Sequence, residues 1–565
     1  MENKEYMLIN GNPVEINGEK NLLELIRKAG IDMPTFCYYS ELSVYGACRM
    51  CMVENKYGDM EAACSTIPKA GMEIYTNTER LRKHRKMILE LLLSNHCRDC
   101  TTCPKNGNCR LQELATRFGV SNIRFKNVRP EPELDTSSVC ITRDKNKCIL
   151  CGDCVRMCNE VQNVGAIDFA HRGSKMIIST AFDEPIGTSS CVGCGQCAAV
   201  CPTGAIVIKN DAGRVWKELG DKGAKVVAQV APAVRVAVAK EFGLPDGENA
   251  MGRIVTAMRR LGFDEVFDTA TGADLTVLEE ANEFLARLES GERLPLFTSC
   301  CPAWVRYCEK NHPELMKNVS TCKSPMQMFS SVIKAQYAQS SRRVVNVAVM
   351  PCTAKKYECS REEFIHNGVP ETDYVITTQE LIQMIREAGI VFNELEPEAV
   401  DSTFSTATGA GVIFGVTGGV TEAVLRRIAT DKSTRALNAI AFKEVRGMQG
   451  IKETTIPYGE REVRIAIVSG LKNAETILRA IAQGEHYDFV EVMACPGGCV
   501  SGAGQPFGSL RTKEQRGKAL YSADKMLSIK RSEENPLMMS LYSGILKGRV
   551  HELLHVHHRE EKHND

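Results

Sequence analysis

The chain has 565 residues, too many for one hydrophobic core, and about three to five domains are expected. Its 70 Lys+Arg balance 70 Asp+Glu, which leaves no electrostatic footprint for nucleic acid or an anionic membrane surface. No apolar run has the length of a membrane span, and the opening Met1-Glu-Asn-Lys-Glu-Tyr6 has no signal-peptide core, so a cytoplasmic location is expected. In that compartment 25 cysteines are metal ligands rather than a disulfide framework. Positions 37 to 201 hold 17 of them, which divides the chain into a metal-dense front and a catalytic back.

Residues 1–80 read as a small β-rich domain. Tyr6–Ile9, Asn10-Gly11 and Val14–Ile16 form a hairpin pattern, since Asn-Gly suits a type I′ turn, and Leu22–Lys28 reads as a short helix. Cys37, Cys48, Cys51 and Cys64 follow with gaps of ten, two and twelve residues. Zinc sites usually pair two short clips and only one is present, so a [2Fe–2S] centre is expected ahead of zinc. Residues 81–125 open with a helical run rich in Leu and basic residues, up to Leu93. Its end carries His96, Cys100, Cys103 and Cys109, one imidazole and three thiolates. Spacing alone leaves zinc and a [4Fe–4S] cubane open here, and the company of other clusters favours the cubane. The basic residues Arg80, Arg82, Lys83, Arg85 and Lys86 read as a solvated face, with docking of an acidic electron carrier as the functional alternative.

Residues 138–209 carry the strongest local signal. Cys148, Cys151, Cys154 and Cys158 show gaps of two, two and three, and Cys191, Cys194, Cys197 and Cys201 repeat them before Pro202. This is the two-cluster bacterial ferredoxin duplication, in which each fourth cysteine serves the other cubane. Cys201 is therefore expected with Cys148, Cys151 and Cys154, and Cys158 with Cys191, Cys194 and Cys197. Such centres in series link a surface electron carrier to a buried redox reaction.

Residues 210–530 read as α/β, with strands at Val226–Val230, Val344–Met350, Arg464–Val468 and Phe489–Met493 and helices at Leu275–Leu288 and Ala474–Ala482. Leu294–Phe297 reads as a further short buried strand. Three apolar strands run into cysteine: Phe297 towards Cys300 and Cys301, Met350 towards Cys352, and Met493 towards Cys495 and Cys499. Ligands gather at the carboxyl ends of strands in α/β sheets, and Cys301, Cys352, Cys495 and Cys499 make a four-thiolate set suited to a cubane. The glycines of 409–411 and 415–419 allow close backbone packing, without a phosphate-loop or dinucleotide fingerprint. Residues 531–565 read as a helical tail whose histidines are surface residues. Cys97, Cys140, Cys308, Cys322 and Cys359 are left as core residues or free thiols.

Thr298-Ser-Cys-Cys-Pro302, Met350-Pro-Cys-Thr-Ala-Lys-Lys356 with Glu358, and Met493-Ala-Cys-Pro-Gly-Gly-Cys499 together resemble the signature set of the [FeFe]-hydrogenases. The four-cluster front resembles the large monomeric clostridial type, so the resemblance covers nearly the whole chain. It implies a multidomain α/β protein: a β-grasp plant-ferredoxin-like domain, a cluster domain with one histidine and three cysteine ligands, a bacterial two-[4Fe–4S] ferredoxin domain and a two-lobed α/β H-cluster domain with a helical tail. It implies an H-cluster, a [4Fe–4S] cubane on the four back-half cysteines joined through Cys499 to a diiron subsite carrying CO, CN⁻ and an azadithiolate, besides one [2Fe–2S] and three accessory [4Fe–4S] centres. Separate maturation proteins insert the diiron unit. The implied pocket residues are Lys355, a compact cation suited to cyanide, with Met350, Met493, Phe414, Pro232, Ser324, Ala233 and Met326. Ala233 and Met326 stand where some relatives have Ser and Gln. The implied proton route runs from Cys300 through Glu280, Ser320 and Glu283 to Arg287 near the surface. Read locally, Glu283 and Arg287 are an i,i+4 pair on a solvated helix face.

The function expected from the resemblance is reversible formation of H2 from protons and electrons, exchanged with ferredoxin or a similar acidic carrier by a monomer. A subunit of an NAD-linked electron-bifurcating complex is the alternative. A hydrogen sensor fits less well because Cys300 is retained and no signalling domain is visible. A related iron–sulfur assembly protein fits poorly with the Lys355 region and the full set of clusters.

Overall fold

Asn10 and Gly11 sit at φ 52° and 82°, the left-handed pair that a type I′ turn needs. They join β1 (Tyr6–Ile9) to β2 (Asn12–Glu15) with Ile9 opposite Asn12. The computed structural model describes residues 5–128, 132–429, 446–448, 450–459 and 461–557. Its chain divides into one unit of residues 1–161, 165–189 and 197–207 and another of residues 162–164, 190–196 and 208–565.

In the first unit, β3 (Met52–Asn55), β4 (Met60–Ala62) and β5 (Glu73–Tyr75) complete a five-stranded sheet of order β2-β1-β5-β3-β4. Helix α1 (Leu22–Lys28) starts at Asn21, whose side chain accepts from the Glu24 N–H, and it buries Leu22, Leu25 and Ile26 against Met7, Ile9 and Ile74. Helix α2 (Glu79–Ser94) is capped by Thr78, and α3 (Arg110–Arg117) packs against it through Leu111 and Leu114. The basic face expected on α2 is only partly there. Arg80, Arg82 and Lys83 are exposed, but Lys83 pairs with Glu79 at 2.7 Å. Arg85 is 3% exposed and belongs to the core. Its guanidinium donates to the carbonyls of Met50 (3.1 Å), Thr76 (2.9 Å) and Met52 (2.7 Å), fastening the helix to the sheet.

The second unit holds two four-stranded sheets. One contains β6 (Ala224–Val230), β7 (Glu265–Asp268), β9 (Arg343–Met350) and β10 (Tyr374–Thr377), all parallel, in the order β7-β6-β9-β10. The other has the order β8-β13-β12-β11, from β8 (Leu296–Phe297), β11 (Ile451–Tyr458), β12 (Arg461–Ser469) and β13 (Phe489–Met493). Its β8, β13 and β12 are parallel and β11 is antiparallel. The expected strand at Leu294–Phe297 is thus halved: Pro295 has no N–H to give a ladder.

Helix α4 (Ala270–Ser290) is longer than expected and largely buried, with Asp274 and Glu280 at 0% exposure. Asp274 accepts from the Thr408 and Ser532 hydroxyls and the Asn535 amide. The Glu283–Arg287 face, which reads as solvated in the sequence, is packed as well: Glu283 accepts from the Ser320 hydroxyl, and Arg287 donates to the Asn318 and Val319 carbonyls. Helices α5 (Pro302–Asn311), α6 (Pro325–Gln336), α7 (Gly419–Ile428), α8 (Leu471–Ala482) and α9 (Leu510–Met526) complete the frame.

The expected helical tail becomes two short helices, α10 (Pro536–Ser543) and α11 (Val550–Leu554). Met538, Leu541, Leu553 and Leu554 join the core with Val227, Phe267 and Phe329. Its histidines are not all on the surface: the His555 side chain is 11% exposed and bonded on both ring nitrogens. His558 lies outside the described residues. Among the described residues no helix is long and apolar enough to cross a membrane.

Replacing Arg85 with Ala leaves three buried carbonyls unpaired and is expected to lower the stability of the first unit by about 3 kcal/mol, whereas Lys83→Ala stays within about 0.5 kcal/mol. Denaturant midpoints of the two variants check this.

Candidate functional site

Five strand ends of the second unit meet at one cavity of about 70 Å³, several times the room one water needs. Ala231, Pro232 and Ala233 follow β6, Thr269 follows β7, Cys300 follows β8, Met350 and Cys352 end β9, and Met493 ends β13. Met326 of α6, Phe414, Lys355 and Cys499 close it. Of the pocket residues expected from the sequence, only Ser324 is elsewhere: its hydroxyl caps α6, accepting from the Gln327 N–H, and it borders a separate cavity of about 20 Å³ with Lys323 and Glu358.

The four thiols at the ends of β8, β9 and β13 share one electrostatic environment. Burial pushes Cys495 well above the ordinary thiol range, and Cys352, Cys301 and Cys499 push it further. Burial also raises Cys301, Cys499 and Cys352, the last to about 11. Thiols this buried do not ionise unaided; a cationic cluster would supply the compensation, which fits a thiolate-held iron–sulfur centre. Among the described residues no three His, Cys, Asp or Glu donors converge as around a single ion; a cubane, whose thiolates sit on separate irons, does not ask for that.

The turn carrying Cys495 and Cys499 is held by backbone contact. Gly498 has φ 91°, and a Cβ there would meet the backbone of Val416 and Thr417 at 2.5–2.7 Å. Three side chains that the sequence reading missed fasten the same region. Gln196 donates to the Cys495 sulfur at 3.0 Å and to the Ser501 carbonyl at 3.1 Å. Gln162 donates to the Ala494 carbonyl, and Thr353 to that of Gly193. The position of Gln196 between Cys194 and Cys197 was the one available signal.

Lys355 donates to the Glu358 carboxylate at 2.7 Å and to the Cys300 carbonyl at 3.3 Å. Burial opposes its charge, but Glu358 more than offsets this and holds its pKa above the usual lysine value. Cys300 faces the cavity, and burial, then the charges of Glu280 and Cys301, raise its thiol. Glu280 is fully buried, and burial, then Glu283 and Glu491, push its carboxyl up to about 8, so it is protonated at neutral pH. Ser320 donates to Glu283 at 2.7 Å, and the Thr321 N–H donates to both Glu283 oxygens at 3.1 and 3.2 Å. Arg287 grips Glu283 and donates to the carbonyls of Arg293, Asn318 and Val319. Arg287, expected near the surface, is 7% exposed and anchors Glu283. Cys322, left unassigned by the sequence, points its thiol at Glu283 at 3.8 Å.

Glu491 was also missed. It is fully buried on β13 and accepts from the Gly418 and Thr421 N–H groups and the Thr421 hydroxyl, at the start of α7.

In the first unit, the Cys48 N–H donates to the Cys37 sulfur at 3.3 Å, and Cys51 and Cys64 face each other close to that pair. Cys100, Cys103 and Cys109 lie together. The Nδ1 of His96 is buried with no hydrogen-bond partner, and burial lowers its pKa, so the ring is a neutral imidazole with a free donor atom, as metal ligation needs. Cys148, Cys151 and Cys154 line one cavity with Cys201, the crossed partner expected from the duplication. Cys158 accepts from the Ala166 N–H at 3.4 Å. In the second unit Cys191 accepts from the Gly193 N–H, and Cys194 packs on the core that also meets Cys301 and Cys352. Cys140, Cys308 and Cys322 are buried; Cys97 and Cys359 are partly so.

Comparison with known proteins points to one family. The family model "Iron only hydrogenase large subunit, C-terminal domain" matches residues 224–503, and "Iron hydrogenase small subunit" matches residues 510–561. Ahead of them lie matches to "2Fe-2S iron-sulfur cluster binding domain" (6–79), "NADH-ubiquinone oxidoreductase-G iron-sulfur binding region" (85–124) and "4Fe-4S dicluster domain" (147–205). The chain is 40% identical to the NADP-reducing hydrogenase subunit HndD of Solidesulfovibrio fructosivorans, over 97% of this chain and 98% of that one. It is 34% identical to iron hydrogenase 1 of Clostridium pasteurianum, over 98% and 100%. A solved structure of a variant of [FeFe]-hydrogenase HydA1 from Chlamydomonas reinhardtii superposes with a TM-score of 0.54 at 36% identity, covering 62% of this chain and 99% of that one. The chain belongs to the iron-only, or [FeFe], hydrogenase family and is an oxidoreductase acting on hydrogen.

Proposed function

We propose that the chain catalyses 2 H⁺ + 2 e⁻ ⇌ H2 at an H-cluster whose cubane is held by Cys301, Cys352, Cys495 and Cys499. The observation that carries this reading is the meeting of these four buried thiols, from three strand ends, beside a cavity that also receives Cys300 and Lys355. The bound cluster supplies the redox chemistry and the site at which H2 is made or split. Lys355 presents a fixed cation to that site, and the apolar Met350, Met493, Met326 and Phe414 keep water out. Cys300 passes the proton between the cavity and Glu280, whose raised pKa lets it both hold and release a proton near neutrality. Ser320 carries it on to Glu283, and Arg287 fixes Glu283 in place. The fronting domains carry one [2Fe–2S] and three [4Fe–4S] centres and bring electrons from a ferredoxin-type acidic carrier.

A second reading of the electron partner rests on the 40% identity to a subunit of an NADP-reducing hydrogenase along nearly its whole length. In that reading the chain is the hydrogen-activating subunit of a nucleotide-linked complex. Native purification separates the two: a lone chain oxidising reduced ferredoxin supports the first, and co-purification with a nucleotide-reducing partner supports the second.

Infrared spectra of the anaerobic, matured protein are expected to show bands of metal-bound CO and CN⁻; a correctly matured protein without them refutes the proposed site. Cys300→Ala is expected to keep those bands and lose about a hundredfold or more in turnover. Glu280 has its carboxyl raised to about 8, so proton delivery is expected to hold below that pH and to fall as pH rises through it. Glu280→Gln removes the titrating group, and the pH–rate profile of H2 evolution checks that the basic limb belongs to it.

A further inference from the structure

Ser320 and Thr321 give Glu283 a hydroxyl and a backbone N–H, and the Cys322 N–H in turn donates to the Ser320 hydroxyl at 3.2 Å. That stretch has no strand of the two main sheets to hold its far edge. The carboxyl end of the chain does so instead. The Val556 N–H donates to the Thr321 carbonyl at 2.7 Å, the Lys323 N–H donates to the Leu554 carbonyl at 2.8 Å, and Cys322 and His555 form an antiparallel bridge. Between these two backbone bonds sits the His555 ring. Its Nδ1 lies 2.9 Å from the Thr321 hydroxyl and its Nε2 lies 3.0 Å from the Glu279 carboxylate. Glu279 also accepts from the Tyr542 hydroxyl and directly precedes Glu280 on α4. One imidazole therefore spans the two elements that carry the proposed proton route.

We propose that His555 is a positioning residue for proton transfer: it locks Thr321 to Glu279, and so fixes the Thr321 N–H group and Ser320 hydroxyl on Glu283. The proposal rests on the Cys300–Glu280–Ser320–Glu283 reading above and adds a residue from the segment that matches the small-subunit family. The chemistry favours one arrangement of the ring. Nε2–H donates to the Glu279 carboxylate, which leaves Nδ1 to accept from the Thr321 hydroxyl. Ring position then depends on both partners at once. Losing either one leaves the 321–323 edge on its two backbone bonds alone, without the side-chain tie to α4, and so loosens the frame that aims the Glu283 carboxylate at Ser320. The titratable groups about His555 include Glu279 on α4, Tyr542 on α10, which shares that carboxylate, Cys322, the bridge partner of His555, and His551, whose ring centre is 4.8 Å away on α11. His551 is exposed, which makes it the control.

The test uses the full-length, matured protein. Thr321→Val keeps the side-chain shape and removes the hydroxyl; Thr321→Ser restores it. His555→Ala removes the ring. Thr321→Val is expected to slow H2 evolution about fivefold, the effect of losing one hydrogen bond from the frame, and His555→Ala, which loses two, at least as much. Both should raise the solvent isotope effect and speed amide exchange at Lys323, while the KM for the reduced dye stays unchanged. Thr321→Ser and His551→Ala are expected to match the parent. Thr321→Val decides the matter if His555→Ala does not fold. Parental turnover and isotope effect in Thr321→Val overturn the proposal. Ser320→Ala is measured in parallel: if it keeps parental turnover, the route itself fails, whereas a dead Ser320→Ala beside a fully active Thr321→Val sinks only the role of His555.

Discussion

Burying four sulfurs at the ends of parallel strands is the constraint on which the second unit is built. Each thiol is pushed towards its neutral form by the surrounding apolar atoms, and each makes ionisation of the others harder. Such a set is a poor place for free thiolates and a good place for a cluster whose charge they balance. The protein meets the geometric demand with short turns rather than with long side chains. Gly498 turns at positive φ against the backbone of residues 416–417, and Gly502 and Gly504 pack against the Pro351 carbonyl. A side chain at any of these positions would push apart the loops that bring the sulfurs together.

Helix α4 carries a second demand. It is buried along most of its length, yet it holds Asp274, Glu279, Glu280 and Glu283. Three of these carboxylates are tied down by specific donors: Thr408, Ser532 and Asn535 for Asp274, Tyr542 and His555 for Glu279, and Ser320, Thr321 and Arg287 for Glu283. Glu280 is the exception, with both oxygens lacking a hydrogen-bond partner of good geometry and a pKa raised to about 8. An acid whose carboxyl is raised this far suits proton exchange near neutrality, the role proposed for it beside Cys300. The same helix shows why the carboxyl-terminal segment is not a loose tail: Asn535, Tyr542 and His555 are its partners, and Leu553 and Leu554 bury themselves in the core below it.

The first unit solves a different problem with less apolar material. Its cysteine sets are local, and the donors around them come from nearby backbone, as with the Cys48 N–H on Cys37 or the Ala166 N–H on Cys158. Arg85 shows how such a small sheet is stiffened. A guanidinium with three carbonyls at 2.7–3.1 Å replaces the apolar contacts that a larger core would supply.

Cysteine spacing, the Asn10-Gly11 turn and the strands that end in thiols were legible from the sequence because each depends on residues close together in the chain. Metal-ligand rhythm, turn type and strand periodicity are local properties. The strand-end placement of the four back-half cysteines was legible for the same reason, since each lies just past a strand. The sequence left undecided which polar residues are buried. Arg85 reads as one more basic residue on a helix, Arg287 as half of a surface pair and His555 as part of a solvated tail, yet all three end among partners distant in sequence. Gln196 likewise gains its meaning only when Cys495, 299 positions away, is brought to 3.0 Å. Local pattern sets which elements form and where the cysteines fall along them; only tertiary packing decides which charges lose water, and so which of them hold the fold.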